Sequence, residues 1–281
     1  MITILRRNPV PVLMDRYPTR ATVMTLDLLD TEKEYRERLR EHIVKSILLT
    51  QDINGGWNNS LYETLWNLDA LTSLKYEGKE IDLGRDFVLK KVKGEELLNL
   101  PFREKTRKVR AFGGKEFRLN PFNLTCYAIE VLSKIDTHDK ILRDSIEAVI
   151  EEVQKINLVH PALEKIMWII RALSQANRVD VLEDTIFKII GSYKSPIGWK
   201  VRPYSNSSED LFFITYSLLY VADNKHISEL LKGTIEIILR KQSSNGLWGR
   251  RNQDEKTYIA VRALIESGII TKDDFKEYFH F

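Results

Sequence analysis

Apolar residues recur along the chain at helical spacing, and six stretches are apolar nearly all round. They are Thr22–Leu29, Thr64–Leu71, Thr125–Leu132, Ile166–Leu173, Ile214–Val221 and Thr257–Leu264. More polar, amphipathic stretches run over residues 32–51, 82–99, 138–156, 179–193, 225–242 and 271–280, with wide charged faces such as the run from Glu32 to Glu41. A helix polar on one side belongs outside a bundle, and one apolar nearly all round belongs inside. The pattern therefore predicts an all-α fold of about six helical hairpins, inner and outer helices alternating. The end residues of the inner stretches, Leu29, Leu71, Leu132, Leu173, Val221 and Leu264, are 42, 61, 41, 48 and 43 positions apart. Self-similarity at such a period marks a repeat architecture. Each hairpin leaves an apolar face that needs a neighbour, so the pairs stack side by side. Six pairs with a buried inner set are expected to close as an α/α toroid. One toroid domain is expected over residues 20–281. Residues 1–19, with Pro9, Pro11 and Pro18 and no helical period, are expected to form an extended arm.

The loops repeat as well. Gln51-Asp52-Ile53-Asn54-Gly55-Gly56-Trp57 and Gln242-Ser243-Ser244-Asn245-Gly246-Leu247-Trp248 share the pattern Q-x-x-N-G-x-W, and Ser195 to Trp199 is a weaker copy. Each follows an amphipathic helix and precedes an inner one. A structural role is expected for Gln51, Trp57, Gln242 and Trp248. Glycine admits a turn that side chains resist, the Gln side chain can bond orphan backbone groups at helix ends, and Trp covers apolar surface at the junction.

With 43% hydrophobic and 30% charged residues, the chain can build a sizeable core under a well-solvated surface, which excludes a disordered composition. A formal net charge of +3 lacks the basic excess of a nucleic-acid binder, so no nucleic-acid partner is expected. Cys126 is the single cysteine, and no cluster of Cys and His has ligand spacing, so neither an internal disulfide nor a metal is expected. The start of the chain has no long apolar run before a small-residue cleavage site, and no segment has the length of a membrane span. A cytoplasmic protein without a transmembrane segment is expected.

The Gln…Gly-x-Trp loops resemble the QW motifs of squalene–hopene and oxidosqualene cyclases. The last copy keeps most of the family spacing in Lys232-Gly233, Ile237-Ile238, Gln242, Gly246 and Trp248, with Ile237 where the family usually has an aromatic residue. Related loops occur in protein prenyltransferase β-subunits. The resemblance to this terpenoid-cyclase and prenyltransferase superfamily implies an α/α toroid whose loops join outer to inner helices. It further implies an isoprenoid or similar apolar ligand in a central aromatic-lined cavity. The D-x-D-D acid of the cyclases is absent, and Asp27-Leu28-Leu29-Asp30 and Ser208-Glu209-Asp210 replace it poorly. The zinc set of the prenyltransferases is also absent. Leu124 precedes Cys126 by two, and Thr257-Tyr258 on the last inner helix brings no His, so Cys126 reads as a small core residue. No cofactor is expected.

At about 100° of turn per residue, each inner repeat puts its Trp or Tyr and the charged residue three positions later on one face. If the Leu face packs on the outer helices, the other face lines the cavity. That face carries Met24 and Asp27, Trp66 and Asp69, Tyr127 and Glu130, Trp168 and Arg171, Tyr216, and Ile259 and Arg262. Aromatic surface with a few charges is the usual makeup of a small-molecule site. Its rings suit a carbocation or a sugar, and a carboxylic acid in such a wall is a candidate general acid, here Asp69 or Glu130. In the plainer alternative the same rings fill a closed core and the charges pair with one another.

The segment from Phe102 to Arg118 holds seven cations against two acids, and Arg202, Arg250 and Arg251 follow the other loops at what should be the same end. Together they are a candidate anion site, for example for a diphosphate or a carboxylate, the alternative being solvated loop charge. Two other functions stay open. One is a carbohydrate-active (α/α)-type hydrolase or lyase working with aromatic stacking and paired carboxylates. The other is a non-catalytic toroid scaffold for protein interaction.

Overall fold

The computed structural model describes residue 5 and residues 7–91, 108–136, 138–155, 162–195, 198–199 and 208–276. The fold is all-α. Its helices are α1 (Val10–Met14), α2 (Arg20–Leu29), α3 (Lys33–Leu48), α4 (Leu61–Ser73), α5 (Lys79–Leu89), α6 (Pro121–Leu132) and α7 (Lys140–Gln154). They continue as α8 (Leu163–Gln175), α9 (Asp180–Ile190), α10 (Ser208–Leu218), α11 (Lys225–Arg240), α12 (Gln253–Glu266) and α13 (Asp273–Lys276). Two small antiparallel pairs accompany them, β1 (Lys108–Arg110) with β2 (Glu116–Arg118), and β3 (Lys194–Ser195) with β4 (Gly198–Trp199).

Local signals set the helix starts. Thr19 caps α2, Ser60 caps α4, Asn120 caps α6 with Pro121 directly after it, Asp139 caps α7 and Asn224 caps α11, each accepting a backbone N–H of the first turn. Burial separates helices apolar nearly all round from charged, one-sided ones. α6 buries every residue from Asn123 to Leu132. α3, crowded with charge, buries only Arg36, and α7 buries the one-sided set Leu142, Ser145, Ile146, Val149, Ile150 and Val153.

The described chain divides into two compact units. Unit 1 comprises residues up to Ile43, Ala111–Lys115 and the chain from Lys194, and unit 2 comprises Val44–Arg110 and Glu116–Tyr193. In unit 2, α6 packs against both α4 and α8, and α4 packs on α5, α6 on α7, α8 on α9 and α7 on α9. In unit 1, α12 packs against both α2 and α10, α11 packs on α10 and α12, and α1 packs on α2.

The arm expected to be extended contains helix α1, whose Val10 and Leu13 are fully buried. Pro9 and Pro11 sit at its very start, where a missing N–H breaks no helical bond. Asn8 anchors it, accepting from the Val10 N–H at 2.9 Å and donating to the Phe275 carbonyl at 2.9 Å.

The two matching loops, one in each unit, share a bonding scheme. Gln51 Nε2 donates to the Gly55 carbonyl at 2.9 Å, and Gln242 Nε2 to the Gly246 carbonyl at 2.7 Å. Asn54 accepts from the Gly56 N–H and Asn245 from the Leu247 N–H. The indole N–H of Trp57 donates to the Ile47 carbonyl of α3 at 2.9 Å, and that of Trp248 to the Ile238 carbonyl of α11 at 2.8 Å. The backbone N–H of each Trp donates to a threonine on the following inner helix, Thr64 at 3.1 Å and Thr257 at 3.2 Å. Gly55 and Gly246 turn the chain at φ +87° and +90°, the left-handed region that favours glycine. Each Gln reaches one carbonyl further, Glu80 in the first loop and Arg7 in the second. In the third copy Lys194 pairs with Trp199 across β3 and β4. Trp199 is buried, yet its indole N–H has no acceptor among the described residues.

Candidate functional site

Unit 2 assembles the face that the sequence pattern groups together. Helices α4, α6 and α8 carry Trp66, Tyr127 and Trp168, and the rings form a continuous row. Tyr62 bridges Trp66 and Tyr127 with centroids at 6.2 and 6.3 Å, Tyr127 meets Trp168 at 5.7 Å, and Phe117 of β2 meets Trp168 edge-on at 5.1 Å. These are the separations of interacting aromatic pairs. Two guanidiniums cover the ends: Arg110 lies 5.5 Å from the Trp66 centroid and Arg171 4.6 Å from that of Trp168.

The charges three residues along form a second row. Arg171 Nη2 lies 3.0 and 2.9 Å from the two carboxylate oxygens of Glu130, Lys134 Nζ lies 3.8 Å from Glu130, and Lys134 donates to Asp69 at 2.8 Å. Glu130, Arg171 and Asp69 are 0%, 1% and 3% exposed, while the Lys134 side chain keeps 18%. Taking such charges out of water is costly unless each finds an opposite charge, and this row alternates acid and base. The rows place the proposed acids Asp69 and Glu130 beside Trp66, Tyr127, Trp168 and Arg171. Lys134 and Tyr62 were missed from sequence. Each lies four residues from a candidate, Lys134 after Glu130 and Tyr62 before Trp66, the spacing at which helix neighbours meet.

In unit 1 Asp27 is drawn away by α3, while Tyr216 and Arg262 meet at the Tyr220 ring. Asp27 accepts from Arg40 Nη2 at 2.7 Å on both oxygens and lies 3.0 Å from Arg36 Nε, so α3 claims it. Met24 is half-buried on α2. Tyr216 meets the ring of Tyr220 at 5.4 Å, and its hydroxyl accepts from that of Tyr220 at 3.2 Å. Arg262 pairs with Glu266 at 2.6 Å, with the Tyr220 ring 6.0 Å away. Burial pushes the Tyr258 phenol up to about 12. Burial disfavours the Arg262 cation, but Tyr258 and Glu266 outweigh it and hold the guanidinium above its ordinary value. Arg250 and Arg251 are exposed, and Arg202 lies outside the described residues, as do residues 103–107 of the basic segment.

Burial pushes the Cys126 thiol well above its ordinary range, which suits a core residue. Among the described residues no group of His, Cys, Asp and Glu is arranged to hold a metal ion, and no helix is long and apolar enough to cross a membrane. An apolar cavity of about 10 Å³, lined by Leu89, Thr125, Ile129 and Leu142 among others, includes none of the site candidates. No protein-family model matches the chain, and no curated protein matches it.

Proposed function

We propose that the chain is an α/α-toroid protein of the terpenoid-cyclase and prenyltransferase kind that binds an isoprenoid or similar apolar ligand against its inner aromatic row. The observation that carries the reading is that row, Trp66, Tyr62, Tyr127 and Trp168, backed by paired charge. Stacked rings offer polarisable, cation-tolerant surface to an unsaturated hydrocarbon chain. The common bonding scheme of the Gln51 and Gln242 loops supports the ring, since it ties an outer helix to the next inner helix in the same way in both units. Small-angle scattering tests the ring: a single compact particle is expected, and a two-lobed distance distribution would contradict it. Asp69 and Glu130 are both engaged by cations, which supports a binding role over proton donation.

The unit 2 row offers its own cations, Arg110 over Trp66 and Arg171 over Trp168, to a ligand that carries charge. Titration with farnesyl diphosphate tests this. Replacing the half-exposed Trp66 by alanine should weaken binding roughly tenfold, the worth of one aromatic contact. Unchanged affinity in the Trp66 variant, or no saturable binding by the natural chain, would refute the reading. The mutual packing of Tyr127 and Trp168, 4% and 1% exposed, favours a second reading, a scaffold whose inner surface is filled by its own side chains.

A further inference from the structure

The segment Ala111–Lys115 belongs to unit 1 and lies on its inner helices. Phe112 is 2% exposed. The Arg20 guanidinium of α2 stands 4.7 Å from its ring centroid, Tyr216 of α10 lies at 5.0 Å, and Tyr258 of α12 meets it edge-on at 5.9 Å. The next backbone N–H, that of Gly113, donates to the buried Glu255 carboxylate at 2.8 Å. The Lys115 ammonium pairs with the buried Asp210 of α10. A Cβ on Gly114 would stand 2.7 Å from Asn252 Nδ2 and 3.3 Å from Lys256 Cε, so the segment lies close to side chains at the start of α12.

A phenyl ring, an N–H and an ammonium, spaced along four residues, thus each meet a matching group: an aromatic and guanidinium box, a carboxylate, and a second carboxylate. That is how a site reads a short peptide, aromatic anchor in a pocket and charge at its edge. We propose that Arg20, Tyr216, Tyr258, Glu255 and Asp210 form a recognition site for a peptide segment of a partner protein, one with an aromatic residue followed three positions later by a lysine. Ala111–Lys115 is the resident copy that fills the site until displaced. Its flanking strands β1 and β2 pair over only three residues each, and a hairpin of that size is marginal on its own. Being part of the chain, the resident copy competes at a high effective concentration. The site does not depend on the aromatic row of unit 2 being a ligand site.

The test uses the full chain with Phe112→Ala and Lys115→Ala, titrated with a fluorescent Ala-Phe-Gly-Gly-Lys-Glu peptide. Saturable binding at least roughly tenfold tighter than to the natural chain is expected, because the tethered competitor is gone. Binding should be lost when the peptide's phenylalanine is replaced by alanine or its lysine by glutamine. A folded variant that ignores the peptide, or that binds the altered peptides equally well, would overturn the proposal. Hydrogen exchange on the natural chain covers the case in which the variant does not fold. Excess peptide should speed exchange at the Gly113 amide, and unchanged protection there would overturn the proposal as well.

Discussion

Arg171 on α8 grips Glu130 on α6 through one nitrogen, at 3.0 and 2.9 Å from its two oxygens, and neither side chain reaches solvent. A buried pair of this kind contributes little over a well-packed apolar pair, but breaking it strands a charge. Arg171→Met should therefore cost about 3–5 kcal/mol. Adding Glu130→Leu should restore part of that loss, because the buried carboxylate that has lost its guanidinium is gone. Urea unfolding of the two singles and the double measures this as a mutant cycle. A single substitution costing under about 1 kcal/mol would mean that water reaches the pair.

The two Gln…Trp loops should respond alike. Thr64 and Thr257 each accept the backbone N–H of the loop tryptophan in a buried setting. Valine has nearly the same shape and no acceptor, so Thr64→Val and Thr257→Val should each cost about 1–3 kcal/mol, the penalty of an unsatisfied buried donor. Thermal or denaturant unfolding of the two variants checks it. A loss at one loop and none at the other would deny that they are the same device.

Lys194 takes the place of Gln in the third loop, with its ammonium 5.1 Å from the Trp199 centroid and bonded to Thr234. Burial pulls it down from 10.5 to about 8, with Glu236 opposing. Between those values the unfolded chain holds the proton and the folded chain has shed it, so stability contributed by this group rises with pH across the window. Below about 8 the charged ammonium is a burden in the folded state. Lys194→Met removes the titration. Melting temperatures of both proteins from about pH 7 to about pH 10.5 should show the natural chain gaining on the variant as pH rises. A constant difference would contradict the account.

Much of this was legible in the sequence because long elements with a strong helical period announce themselves. The buried run of α6 and the charged face of α3 are plain in the order of residues, and the paired loops were legible because Gln, Gly and Trp repeat at fixed spacing. The β1–β2 hairpin was not, since three-residue strands such as Lys108–Arg110 are too short for an alternating pattern to emerge. Helix α1 is a single turn held by Asn8 and by packing on α2, so its five residues show no period. At the site, the grouping of Trp66, Tyr127 and Trp168 with Asp69, Glu130 and Arg171 follows from helix geometry alone. Asp27 occupies the same register as Asp69, but Arg36 and Arg40 of α3 bind it, a tertiary fact that one helix's pattern cannot contain.

The central claim is that the aromatic row receives an apolar, isoprenoid-like ligand. Native mass spectrometry of the full chain, purified without added lipid and then exposed to farnesyl diphosphate and farnesol, tests it most directly. The account predicts a bound species of isoprenoid mass, either carried through purification or formed on addition, and its loss in the Trp66→Ala variant. A chain that stays ligand-free under every condition, or that carries the ligand equally well without Trp66, would contradict it.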